Sequence, residues 1–261
     1  VELVSIATRS CDHYKHAKMA LLAGKDVLGE KPMCMTYEQA LELKSLSEGD
    51  NGCGRLFIRH NRRFEPNFLF AKNLMDSGKL GRVTYARVRN VHNGSSANWL
   101  PPHFYDKAQC GGGAMIDLGS HPMYTLYWLL GEPKSITSTF TQVTNRGVED
   151  NAVSVIEFAD GKIGVSETGF VSECNPYTLE VSGTDGAVMV HGDSVQWGGK
   201  TTEGKWVDLE LPEKEPLPID QWIDAVVNGK PSPFTIDEAV MLTRLMDGAY
   251  KAFETGAKAT F

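Results

Sequence analysis

The opening residues constrain the fold most. Val1 to Ala7 (VELVSIA) is a short apolar run rich in β-branched residues, suited to a strand buried on both faces. His13 to Ala23 carries apolar residues at helical spacing and stops at Gly24, a residue that readily turns left-handed at a helix end. Val27-Leu28 reads as a second strand. Thr36-Tyr37-Glu38-Gln39 is a capping-box pattern that predicts a helix from Tyr37 to Ser47, and Leu56 to His60 reads as a third strand. Strand, helix, strand, helix, strand predicts a doubly wound parallel sheet.

Further on the texture changes. Pro66 to Met75 reads as a helix, Val83 to Val91 alternates like a strand, Asn93 to Cys110 reads as a loop, and Ala114 to Leu130 as an apolar helical segment ending at Gly131. From Ser135 to Val207 strand follows strand (ITSTFTQV, AVSVIEFA, KIGVSETGFV, YTLEVSG, AVMVHG), with Asp160-Gly161 and Asp185-Gly186 as turn pairs. This predicts a mostly antiparallel sheet, closed by helices at Ile219 to Asn228 and Ile236 to Phe253. The expected fold class is α/β plus α+β: a partial parallel sheet followed by a larger, mostly antiparallel β-sheet domain with helices. The expected domains are 1–60 and 61–261.

Composition narrows the function classes. At 261 residues, with 41% hydrophobic and 23% charged, the chain is long and apolar enough to fold, and no apolar run approaches the ~20 residues of a membrane-spanning helix. Lys and Arg number 26 against 33 Asp and Glu, a net charge of −7, which advertises neither a nucleic-acid nor a membrane partner. Five cysteines, widely spaced and without C-x-x-C, argue against a disulfide framework and a structural zinc site and for a reducing compartment. With no signal or transit pattern at the start, a cytoplasmic location is expected.

Two motifs carry candidate chemistry. Lys31, in Glu30-Lys31-Pro32, follows a predicted strand end, where ligands of open α/β sheets bind; it suits holding a substrate hydroxyl or moving its proton, against the alternative of a solvated loop lysine. Pro32 fixes the backbone there, in a bond open to the cis form. Gly111-Gly112-Gly113 leads into Asp117 and His121, four residues apart and on one face of a helix if the helix is continuous; Pro122 complicates it. The glycines allow close approach of a ligand, and His suits proton transfer beside a carboxylate; a satisfied histidine or a weak metal pair are the alternatives.

Other segments are less pointed. Arg59-His60-Asn61-Arg62-Arg63 lies at the expected junction, where arginines grip a ligand or pair with acids across it. Trp99 to Tyr105 is an aromatic-rich loop suited to a sugar ring or to plain packing. Outside the Gly111–Gly113 run, Gly52-Cys53-Gly54 is the only G-x-G; it lacks the third glycine and leads into a strand, so it is no dinucleotide fingerprint. Cys110 reads as structural.

These motifs together resemble the Gfo/Idh/MocA family (glucose-fructose oxidoreductase, inositol dehydrogenase and relatives). SIATRSCDHYKHAKMALLAGKDVLGEKPM resembles the family's strand, Thr-Pro-Asn-x-x-His loop, helix ending in Ala-Gly-Lys, strand and Glu-Lys-Pro. HNRRFEP resembles its Asn-Arg-Arg-Phe-Asp-Pro, GGGAMIDLGSHPMYTLYWLLG its Gly-Gly-Gly-x-x-x-Asp-x-Gly-x-His segment, and YTLEVSGTDGAV and FTIDEAVMLTRLMDGAYKAFETG also fit. The resemblance implies a Rossmann-type first domain and an NAD- or NADP-dependent oxidoreductase of a sugar, polyol or cyclitol. It implies Lys31, Asp117 and His121 as the catalytic group, with His121 exchanging the proton. It further implies Ala7, Thr8, His13, Glu30, Lys31 and Pro32 on the cofactor side, and Asn61, Arg62, Trp99 and Tyr177 on the substrate side. A carbohydrate or polyol substrate, no metal, and a homodimer or homotetramer built on the antiparallel sheet complete the expectation. Thr8-Arg9-Ser10 departs from Thr-Pro-Asn. The family's opening G-x-G-x-x-G half, on the order of sixty residues, is absent from the sequence, so Val1 is expected to follow a truncation. A binding or assembly protein that has lost the cofactor, and a redox-assisted glycosidase or lyase, are the alternatives.

Overall fold

The structure is a computed structural model that describes residues 2–49, 52–173, 177–209, 211, 214–232 and 234–261; Val1 and Cys174 of the sequence reading lie outside them. The first strands are β1 (Leu3–Ile6), β2 (Asp26–Gly29) and β3 (Leu56–Ile58), joined by α1 (Ser10–Leu22) and α2 (Tyr37–Glu48). They form a parallel sheet in the order β1-β2-β3, with Val27 opposite Val4 and Leu56. Helix α1 starts at Ser10, ahead of the expected His13, and Gly24 beyond its end takes φ +68°. Thr36 caps α2 by accepting from Gln39 N–H at 3.3 Å, but the Gln39 side chain accepts from Met35 N–H, one residue short of closing the capping box.

The second half begins with a 3-10 turn at Asn61–Phe64, α3 (Pro66–Asp76) and β4 (Val83–Val91). The stretch expected as loop holds a 3-10 turn at Pro102–Tyr105 and α4 (Lys107–Cys110), capped by the Asp106 side chain. The apolar segment after it is two helices, α5 (Ala114–Asp117) and α6 (Ser120–Leu130). The break is at Gly119: its N–H reaches back to Ala114 O, and a Cβ there would lie 2.3 Å from Met115 O. Pro122 sits in the first turn of α6, where its missing N–H has no helical partner to lose.

Strands β5 (Pro133–Thr141), β6 (Asn151–Phe158), β7 (Ile163–Gly169), β8 (Thr178–Gly183), β9 (Gly186–His191), β10 (Ser194–Gly199) and β11 (Val207–Asp208) follow, then α7 (Pro218–Val227), α8 (Ile236–Thr255) and β12 (Ala259–Thr260). With β4 the strands form one nine-stranded sheet, β11-β10-β9-β8-β4-β7-β6-β5-β12, antiparallel except for the β4–β7 pair. Strands β10 to β12 go beyond the sequence reading: β10 ends in Gly198-Gly199, and β11 and β12 are only two residues each. Gly161 turns the β6–β7 hairpin at φ +84° as expected. At β8–β9 the turn is Thr184-Asp185 instead, and Gly186 already pairs with Gly199 in the ladder.

Both crossover helices lie on one face of the small sheet, which is therefore not doubly wound within its own segment. Val27, Leu56 and Ile58 pack with Ala17, Leu21, Ala40 and Leu43 of α1 and α2. Leu28 and Phe57 point the other way, onto Trp222 of α7 and Phe234, so the second face is covered from near the far end of the chain. Helix α8 joins the two halves: Ala239 and Val240 enter the small core, and Leu242, Leu245, Met246, Ala249 and Ala252 the large one. Among the described residues no helix is long and apolar enough to cross a membrane.

Candidate active site

The chain leaving β1 and β2 at their carboxyl ends forms one wall of a cleft of about 430 Å³, through Ala7–Ser10, Glu30 and Lys31. The opposite wall comes from the large half, through Phe104, Cys110, Gly112, Gly113 and Asp117. Lys31 Nζ crosses this junction and donates to both the main-chain oxygen of Asp117 at 2.7 Å and its Oδ1 at 2.9 Å. The Lys31–Pro32 peptide is cis. His13 is buried, with Nδ1 2.7 Å from Pro32 O and Nε2 2.9 Å from Thr8 O. It ties the β1 and β2 exits together and has both nitrogens engaged by backbone. Glu30 pairs with Arg59 at 2.8 Å.

Behind Lys31 and Asp117 lies a buried aromatic cluster. His121 Nδ1 is 2.9 Å from the hydroxyl of Tyr124, which also accepts from the Arg62 N–H at 3.0 Å. His60 stacks on Tyr124 at 4.5 Å, and the Arg62 guanidinium lies over the Tyr177 ring at 4.8 Å while pairing with Glu65. Burial, reinforced by the charges of Lys31 and Arg62, holds His121 well below its ordinary 6.5, so the ring is neutral near neutral pH. Burial likewise brings His60 down to about 3.

The helix break changes the pairing read from spacing. Asp117 bonds Lys31 across the cleft, and the bonded side-chain partner of His121 is Tyr124, three residues on. The glycines also let this wall pack closely: a Cβ on Gly112 would lie 2.0 Å from Tyr250 Oη, and one on Gly113 2.0 Å from Glu149 O. Arg63 pairs with Glu238 across the junction. Asn61 borders a separate hollow of about 380 Å³ with Phe64 and Leu217. Trp99 is 55% exposed and stands outside the cleft, its Nε1 on Asn93 and its ring 4.7 Å from His92. Cys110 donates its thiol to His103 O, and burial raises its pKa, so it stays protonated.

Two residues that shape the site escaped the motif reading. Tyr124 had a signal, since it stands one helical turn from His121. Glu149 had none: its Oε1 accepts from Gly113 N–H at 2.8 Å, Met115 N–H at 3.0 Å and Tyr250 O–H at 2.5 Å, holding the start of α5 from a distant loop.

The cleft lies between a parallel sheet and a large antiparallel one, with a lysine and an aspartate meeting across it. Residues 1–54 match the family model described as an oxidoreductase family with an NAD-binding Rossmann fold, and residues 68–189 match the GFO/IDH/MocA C-terminal domain. The scyllo-inositol 2-dehydrogenase (NADP(+)) IolW of Bacillus subtilis (strain 168) is 29% identical over 225 residues, 82% of this chain and 59% of that one. The solved structure of GenD2 from gentamicin A biosynthesis, in complex with NAD, is 30% identical, with TM-score 0.84 over 100% of this chain and 78% of that one. A putative oxidoreductase from Thermotoga maritima shares the fold, with TM-score 0.90 at 17% identity, over 100% of this chain and 80% of that one. The chain belongs to the Gfo/Idh/MocA family of oxidoreductases. It spans 59% of the length of IolW.

Proposed function

We propose that this chain belongs to an NAD(P)-dependent oxidoreductase that transfers hydride between the nicotinamide and a hydroxyl or carbonyl carbon of a sugar, polyol or cyclitol. The observation that carries the reading is the Lys31–Asp117 contact at the strand ends, beside a neutral His121, on a cleft lined by Ala7, Thr8 and Glu30. The cleft's size suits a small-molecule site. The nicotinamide end of a dinucleotide fits there, with Ala7, Thr8, Glu30 and Lys31 against it and the backbone of His13 and Pro32 framing it. Gly52-Cys53-Gly54 precedes β3, at the sheet end away from the cleft, and a Cβ on Gly54 would lie 1.9 Å from Lys25 O; these glycines pack a loop and hold no phosphate. Bound, the cofactor supplies or accepts the hydride. Lys31, Asp117 and His121 then surround the reacting oxygen, with Arg62 and Tyr177 toward the rest of the substrate. The polyol class is supported by the activity in the name of IolW.

A cytoplasmic setting is supported by the free thiols of Cys11, Cys34 and Cys110. Self-association as a dimer or tetramer is supported by the outer face of the nine-stranded sheet, where Val153, Val155, Ile163 and Met189 are exposed. Titration of the full-length protein with NADH and NADPH, followed by nucleotide fluorescence, tests the reading: binding of at least one is expected, and binding of neither overturns it. His121→Ala is expected to abolish turnover and leave nucleotide affinity nearly intact.

A further inference from the structure

Tyr124 has a wholly buried ring and a hydroxyl with two hydrogen-bonding neighbours among the described residues, the Arg62 N–H and His121 Nδ1. A backbone N–H only donates, so it occupies one lone pair of the phenol oxygen. The hydroxyl's own proton is left with a single acceptor, Nδ1. Leaving a buried hydroxyl proton unpaired costs about 1–3 kcal/mol, so the proton points there. His60, stacked face to face with the phenol at 4.5 Å, keeps the ring from turning away. A neutral imidazole that accepts at Nδ1 carries its hydrogen on Nε2. Among the described residues Nε2 has no hydrogen-bond partner, so it is the nitrogen left for a ligand.

We propose that Tyr124 is a positioning residue that fixes His121 in the Nε2–H tautomer, so that His121 meets a ligand oxygen as a hydrogen-bond donor and not as a base. The depressed pKa of the ring agrees with this state, since the surrounding cations Lys31 and Arg62 and the buried His60 all disfavour a charged imidazole. The division of labour at the site follows, and this part rests on the oxidoreductase reading. Lys31 donates two of its three ammonium protons to Asp117, and the third is free for the ligand oxygen. In the reductive direction the carbonyl carbon gains the hydride and the C=O π pair moves to oxygen. That oxygen takes its proton from Lys31 Nζ, leaving a neutral amine that solvent reprotonates. His121 Nε2–H holds the same oxygen throughout, as a neutral electrophile.

Long-range proton–nitrogen NMR spectra of the full chain labelled with ¹⁵N-histidine read the tautomer directly, with His121→Asn identifying the signals. The expected result near pH 7.5 is a single Nε2–H tautomer with bare Nδ1. In Tyr124→Phe, loss of one hydrogen bond is expected to lower the Nε2–H to Nδ1–H ratio about tenfold. An Nδ1–H ring in the unaltered chain overturns the proposal, as does an unchanged ratio in the variant. If Tyr124→Phe does not fold, the tautomer of the unaltered chain decides alone. No turnover enters the measurement, so failure of the oxidoreductase reading shows in the nucleotide titration and leaves this result standing.

Discussion

Three arginines stand within five residues, and each has a different anion: Arg59 holds Glu30, Arg62 holds Glu65, and Arg63 holds Glu238. The sequence marks this segment as a junction rich in donors, but the partners of Arg59 and Arg63 come from distant positions and no local spacing reveals them. His60, among these arginines, is 2% exposed, and its Nε2 has no hydrogen-bond partner. Its folded value of about 3 lies far below the ordinary 6.5. Between those values the unfolded chain binds a proton at this site that the folded chain refuses, so stability rises with pH up to about 6.5 and falls on acidification. From pH 6.5 to pH 5 the loss is about 2 kcal/mol. His60→Phe keeps the stack on Tyr124 and removes the titration. Urea denaturation at pH 7 and pH 5 is expected to show the acid-induced loss reduced by about 2 kcal/mol; an unchanged difference would mean that His60 does not titrate as its burial dictates.

Among the elements, α5 is only four residues long, yet it carries Asp117 to the cleft. So short a helix has too few internal hydrogen bonds to hold its own direction. Glu149 supplies what is missing by gathering two of its leading N–H groups and the Tyr250 hydroxyl on one carboxylate oxygen. The glycines and the Asp-x-x-x-His pattern are contiguous and could be read along the chain. The support lies 36 residues from Gly113 and its own partner Tyr250 another 101 away, so neither leaves a local trace. Pro122 signalled that the helix need not be continuous, but the place of the break at Gly119 was not legible, because it depends on how closely that backbone crosses Met115 O. Glu149→Ala would leave three buried donors without an acceptor. The expected cost is about 3 kcal/mol in chemical denaturation, whereas Glu149→Gln, which retains an acceptor oxygen, should lose less than half of that. Equal losses for the two variants would assign Glu149 to packing alone.

For the whole molecule, the succession of strands was legible, and in β6 Ala152, Ser154 and Ile156 face inward while Val153 and Val155 face outward. What covers each face was not. The small sheet takes its second cover from α7, more than a hundred residues downstream, while among the described residues the large sheet keeps Val153, Val155, Ile163 and Met189 exposed on its outer face. On that face Val155 is 42% exposed and lies beside Val165 of the neighbouring strand in the ladder. Flanking it, Arg87 and Glu167 form a bidentate pair within one chain. An exposed apolar patch beside an internally paired ion pair suits a second copy of the same surface. Val155→Lys would place two ammonium groups near each other across such a two-fold contact and desolvate both. Sedimentation velocity is expected to give a dimer or tetramer for the unaltered protein and a monomer for Val155→Lys. Because the side chain points to solvent in a single copy, the monomer should keep the far-ultraviolet circular dichroism of the parent. A monomeric parent, or an unaltered mass in the variant, would remove the sheet face as the contact between copies.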